Sequence, residues 1–209
     1  MVKPIYLADV EKNPKPGAYN DLITASKAAG REHWPIWSLF AFNPETTSHL
    51  MRFTQGVMHD AAPISPGLRE LIAAYVSALN QCEFCLKCHA AVASELLGSE
   101  QLVAGVIADV ETSALPENEK ALMRFVRKVT LELSDSRESD ILELKTHGWS
   151  DEAIYYAIMA CALFNFYNRW ITASGVHAVS QESHTNYGKL LAQRGYDASK
   201  RFAGMPPQN

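Results

Sequence analysis

The chain has 209 residues, 47% of them hydrophobic, which is enough to bury a substantial core as one domain over 1–209. Its 19 basic and 23 acidic residues give a net charge of -4 and are scattered, so there is no basic stripe of the kind that nucleic-acid binding needs. The opening MVKPIYLADVEKNPKPG has prolines and charges where a signal peptide needs an apolar run, and no later stretch reads as a membrane span, so a cytoplasmic protein without nucleic-acid or membrane partners is expected. Thiols stay reduced in that compartment, so Cys82, Cys85 and Cys88, close together in the chain, point to catalysis or metal binding rather than to a disulfide framework.

In chain order, residues 1–18 contain Pro4, Pro14 and Pro16 and read as an extended arm lying on the body or on a neighbouring subunit. Tyr19, Leu22 and Ile23 begin a helix that stops at Gly30, and the apolar stretch 34–42 predicts a short second one. Asn43-Pro44 is a helix start: the Asn side chain can accept from orphan N–H groups, and Pro has no N–H to leave unpaired. Ser65-Pro66 repeats that signature and opens the helix that carries Glu70 to about residue 79. Asn80-Gln81 break it, and a helix from near Cys82 runs to Leu97, where Gly98 is the stop. Helices over 99–109, 116–133, 136–147 and 150–174 follow, with a last one inside 178–193 and a loose tail from about 195. No segment alternates with strand periodicity, so the fold class is all-α.

One internal echo is visible. Ser65 precedes Asn80, and Ser150 precedes Asn165, by the same 15 residues, which is compatible with a repeated helical unit. On that offset Tyr155, Tyr167, Trp170 and Ser174 stand where the first copy has Glu70, Cys82, Cys85 and His89, so the second copy would keep scaffold without chemistry.

On a helix advancing about 100° per residue, Cys82, Cys85 and His89 fall within an arc of roughly 60°. The short Asn80-Gln81 connection makes the two helices antiparallel neighbours, and Glu70, ten residues before Asn80, returns to about the level of His89, nine after it. First-turn N–H groups favour thiolates at Cys82 and Cys85, His89 can take or relay a proton, and Glu70 can orient the imidazole. A thiol that attacks a peroxide becomes a sulfenic acid, which a neighbouring thiol converts to a disulfide that an external reductant must reset.

Blander readings stand beside this one. The cysteine pair could be small buried hydrophobes, and Glu70 a first-turn acid favoured by the helix dipole. Cys88, about 60° round the helix from Cys85, is read first as core or interface filler and second as an alternative disulfide partner. Cys161 in YAIMACALF is core, and the histidines at 33, 49, 59, 147, 177 and 184 are surface or structural. Zinc binding by Cys82, Cys85, Cys88 and His89 would require one helix to surround a tetrahedral ion although Cys88 points away from the Cys82/His89 face. The cluster of Trp34, Trp37, Phe40 and Phe42 suits a core or a subunit interface.

The pattern Glu70, eleven residues, Cys82-Glu83-Phe84-Cys85, three residues, His89 resembles the active-site signature of the AhpD-like alkylhydroperoxidases, within the carboxymuconolactone decarboxylase superfamily. GWSDEAIYYAIMACALFNFYNRW resembles a helix of the peroxidase-related branch, so the likeness covers about residues 30–180. It implies an AhpD-like fold with a repeated helical unit, a homo-oligomer, and a thiol-dependent peroxidase without haem, flavin or metal. Carried over, Cys85 would attack the hydroperoxide, Cys82 would resolve it, and His89 with Glu70 would relay protons. The reductant would be an external thiol or dithiol, thioredoxin-like or lipoylated. Phe84 stands where the AhpD pattern has a second histidine, and Cys88 where the peroxidase-related branch often has one. The alternatives are a general thiol-disulfide oxidoreductase, a non-redox scaffold of this fold, and a zinc-binding protein.

Overall fold

The computed structural model describes residues 3–196. Helices α1 (Ala8–Lys12), α2 (Ala18–Ala28), α3 (Ile36–Phe42) and α4 (Pro44–Met58) lead into a central pair, α5 (Pro66–Leu79) and α6 (Glu83–Leu97). Then come α7 (Glu100–Ala108), α8 (Glu117–Leu131), α9 (Glu138–Thr146), the long α10 (Asp151–Ala173) and α11 (Gln181–Arg194), with no strand among the described residues.

α5 is the axis of the core. All its residues from Gly67 to Ser77 are buried, so it is enclosed on every side rather than on one stripe. Ser65 caps it by accepting from the Leu68 N–H at 3.1 Å, as the sequence predicts. Arg69, fully buried, turns back to the preceding connection, donating from Nη1 to the Val57 carbonyl and from Nη2 to the Asp60 carbonyl, both at 2.8 Å. α5 and α6 pack along their lengths, and α11 covers α6 from the other side. A Cβ on Gly188 of α11 would come within 2.7 Å of the Ala91 Cβ, so glycine sets this helix spacing.

Three expectations need correction. The N-terminal arm is not purely extended: it contains α1, and it is fastened to the body, with Ile5 buried and the Tyr6 N–H donating to the Ser174 carbonyl at 3.0 Å. Asn43 precedes α4 but makes no side-chain cap bond; Thr47 bonds to its carbonyl instead. The tail is not loose from 195, because Gly195 and Tyr196 are buried; the rest of it, 197–209, lies outside the described residues.

The echo holds in part. Ser65 and Ser150 cap in the same way at 3.1 Å, and Asn80 and Asn165 meet, with Asn80 Nδ2 donating to Asn165 Oδ1 at 3.1 Å. The first copy breaks where Gln81 takes a left-handed φ of 55°, whereas α10 continues through the equivalent position. That break is what lets Cys82 stand at a helix N-terminus.

Candidate active site

The turn at Asn80-Gln81 makes Cys82 the N-cap of α6 and brings His89 back against α5. His89 Nδ1 lies 2.7 Å from Glu70 Oε2, as helix phase and the short connection predict. Glu70 has no exposed surface and His89 is 7% exposed, so this is a buried ion pair. Burial alone would push the imidazole down, but Cys88 and the Glu70 carboxylate outweigh it and raise His89 to about 10. The charged form of His89 therefore dominates near neutrality, which makes it a proton donor rather than the base the sequence first implies. Its ring also meets Phe164 edge-on, with centroids 4.3 Å apart.

All four cysteines are free thiols and all are buried. Cys85, Cys88 and His89 line one half-enclosed cavity of about 50 Å³, room for a few water molecules or a small ligand. Cys82 does not line it. The cavity takes the side of α6 that holds Cys85, Cys88 and His89, whereas Cys82, the N-cap, faces Asn168 and Thr172 of α10. Cys88 therefore does not point away from the site, contrary to the sequence reading; it is a second thiol in the cavity wall, beside Cys85. His89 and Cys85 share no hydrogen bond, and what links them is the space between them.

The two paired sulfurs differ in charge. Cys82 is lowered to about 6 by the Cys85 thiol, against burial, with help from the Thr172 hydroxyl, the Cys85 backbone and the Asn168 side chain. Cys85 is raised well above the ordinary thiol value by burial and by the neighbouring Cys82. The pair thus shares one proton near neutrality, held on Cys85. Asn168 is fixed for its part, donating from Nδ2 to Ser77 Oγ at 2.9 Å and accepting from Asn80 Nδ2 at 3.0 Å.

The rest of the cavity is apolar and largely aromatic. Trp34, Trp37 and Phe40 are buried in the core, one of the two readings the sequence allows, and also wall the cavity from the side of α3; Phe42 is 39% exposed and takes no part. Phe84 packs edge-on against Trp34 with centroids 5.0 Å apart, so it contributes apolar wall where the AhpD pattern has an imidazole. Tyr187 and Leu191 close the cavity from α11. Beneath them His184 is fully buried, accepts from the Val179 N–H at 3.3 Å, and is pushed down to about 4 by burial, so it stays neutral. Cys161 is core, with its sulfur 3.4 Å from the Thr130 hydroxyl.

One site residue has no counterpart in the sequence reading. Tyr196, beyond the end of α11, donates from its hydroxyl to Glu70 Oε1 at 2.6 Å, and the same oxygen lies 3.2 Å from His89 Nδ1. Among the described residues no three His, Cys, Asp or Glu side chains converge as a metal site would require, so the zinc reading finds no donor set there. No helix of the described residues is long and apolar enough to cross a membrane.

Residues 44–128 match the carboxymuconolactone decarboxylase family, a stretch that contains Glu70, all three clustered cysteines and His89. No curated protein matches the chain. Among solved structures it is similar to an uncharacterized peroxidase-related protein from Silicibacter sp. TM1040, at 25% identity and a TM-score of 0.74, over 88% of this chain and 97% of that one. It shares its fold with an alkylhydroperoxidase AhpD core, an uncharacterized peroxidase-related protein from Ralstonia eutropha JMP134, at 20% identity and a TM-score of 0.71, over 86% of this chain and 97% of that one. The family match covers less than half of the chain, and the all-α architecture of the whole is similar to that of these two peroxidase-related proteins.

Proposed function

We propose that the protein is a thiol-dependent peroxidase that reduces organic hydroperoxides with Cys85 and Cys82. The observation that carries this reading is the cavity: Cys85 and a charged, carboxylate-held His89 line one apolar space, while the acidic Cys82 sits beside Cys85 and outside that space. A hydroperoxide there places its O–O bond between a nucleophile and an acid.

The Cys85 proton passes to the Cys82 thiolate, leaving Cys85 as the thiolate in the cavity. Its sulfur attacks one peroxide oxygen and the O–O bond breaks, giving a Cys85 sulfenic acid and an alkoxide. His89, through Nε2, the ring nitrogen that Glu70 does not hold, donates a proton to the alkoxide, which leaves as alcohol. The Cys82 sulfur then attacks the sulfenic acid, and the displaced hydroxide takes the Cys82 proton and leaves as water. One hydroperoxide and two thiols give alcohol, water and a disulfide, and His89 regains its proton from solvent. An external thiol or dithiol, thioredoxin-like or lipoylated, returns the disulfide to thiols. On this reading the protein works in the cytoplasm as a homo-oligomer, with no bound cofactor.

The test is alcohol formation from cumene hydroperoxide with dithiothreitol as reductant. Continuous turnover by the wild type, lost in Cys85→Ser, is expected. Equal alcohol yield from both proteins would remove the peroxidase reading. Turnover of a model disulfide by a protein inert to peroxide would favour the general oxidoreductase.

A further inference from the structure

We propose that Tyr196 is a positioning residue of the Glu70/His89 pair, fixing the carboxylate by a hydrogen bond on the oxygen that the histidine leaves open. The two oxygens of Glu70 are divided between two partners: Oε2 faces His89 Nδ1 at 2.7 Å, and Oε1 accepts from the Tyr196 hydroxyl at 2.6 Å. The tyrosine oxygen, 3.2 Å from Nδ1, also offers the imidazolium a second acceptor. Both contacts favour the charged pair over a neutral one. Glu70 is fully buried, so removing the Tyr196 hydroxyl takes away the hydrogen bond that Oε1 accepts.

The chain is built to deliver this residue. Ser180 caps α11 and is itself held by Glu32, whose Oε2 accepts from the Ser180 N–H at 3.1 Å. At the far end Gly195 takes φ 67° and ψ -159°, a conformation open essentially to glycine, and a side chain there would run into Gln55. Gln55 then receives the Tyr196 N–H at 2.7 Å, pinning the backbone to α4. Tyr196 is 6% exposed, and its ring lies nearly parallel to that of His89, with 19° between the planes. It lies outside residues 44–128, so the family-matched segment carries an ion pair that a later part of the chain completes.

The groups that act on His89 are Glu70 from α5, Cys88 on its own helix, His184 from α11, and Tyr196 itself. Cys85 shares the cavity, and Arg69 lies next to Glu70 in the chain. Of these, only Tyr196 and His89 hydrogen-bond to the Glu70 carboxylate.

The test is the Tyr196→Phe protein, which keeps the ring and removes the hydroxyl, with the His89 ring followed by NMR across pH. A hydrogen bond to a charged group is strong enough to move the midpoint downward by about one pH unit. A folded variant whose His89 midpoint stays at the wild-type value overturns the proposal. Should Tyr196→Phe not fold, the wild type decides: a slowly exchanging Tyr196 hydroxyl proton with a cross-peak to the His89 ring is expected, and its absence at low temperature overturns it. The consequence for turnover rests on the peroxidase reading. There, the alkaline limb of the rate profile should move down with the His89 midpoint. A shifted midpoint in a protein without peroxidase activity would count against that reading alone.

Discussion

Glu70→Gln tests one of the two groups that hold His89 charged, the other being Cys88. The substitution keeps the shape and removes the carboxylate, leaving an imidazolium that is 7% exposed with no anion at Nδ1. Stranding one member of a buried pair costs about 3–5 kcal/mol. His89 escapes most of that cost by giving up its proton, and at about 1.4 kcal/mol per pH unit its midpoint should fall by about 2–3 units. The starting point is about 10, so the variant should titrate near or just above neutrality. The Tyr196 hydroxyl still has an acceptor in the amide, so the two variants differ in kind: Tyr196→Phe trims the support of a charge, and Glu70→Gln removes it. The assay is NMR titration of ring nitrogens in selectively labelled protein, with urea unfolding at pH 6 and pH 9 as companion. Unfolding should show the larger loss of stability at pH 6, where the unpaired imidazolium must stay charged. A midpoint that remains near 10 in Glu70→Gln would refute the assignment of Glu70 as a counter-ion.

Three further outcomes are expected, two from the titrating groups and one from the packing of α11. His89, raised in the fold above its unfolded value of about 6.5, contributes stability that is full below that pH and lost as pH rises through about 10. Cys82, lowered to about 6, contributes with the opposite slope, gained as pH rises from about 6 toward the ordinary thiol value. The two offset each other over much of that window, so urea unfolding of Cys82→Ser should reveal a decline from pH 7 to pH 9 that the wild type conceals; equal profiles would contradict the opposed slopes. Thiolate absorbance near 240 nm should show one sulfur titrating near pH 6, absent in Cys82→Ser and shifted upward in Cys85→Ser, because the Cys85 thiol is the leading cause of its acidity. An unshifted titration in Cys85→Ser would contradict that cause. Gly188→Ala should cost about 1–3 kcal/mol by overpacking α11 against Ala91, measured by thermal or urea unfolding, and a neutral result would show that the crossing yields easily.

The parts of this molecule legible in the sequence are those set by local rules. Ser65 and Gly98 bound their helices where capping chemistry requires. The meeting of Glu70 with His89 followed from helix phase and a two-residue connection, both local quantities. What escaped was decided by partners far along the chain. Tyr196 is 107 positions from His89, and nothing in its neighbourhood marks it as a site residue. Trp34 and Trp37 read equally well as core or interface because an apolar side chain carries no sign of whether it faces another side chain or a cavity. Helix phase grouped Cys82 with His89 and set Cys88 apart, yet the cavity divides the same arc differently, since packing by α10 and α11 decides where open space remains. The proton on the dyad was illegible too: both cysteines occupy a favourable helix start, and what separates them is that the Cys85 thiol, with Thr172 and Asn168, stabilises the Cys82 thiolate while burial raises Cys85.

The most direct test of the account is a count of free thiols per chain before and after one equivalent of cumene hydroperoxide, with the new linkage mapped by mass spectrometry. The account predicts the loss of two thiols, joined as a Cys82–Cys85 disulfide, and none lost as disulfide in Cys85→Ser. A wild type that keeps all its thiols, or loses no more than Cys85→Ser does, would contradict it.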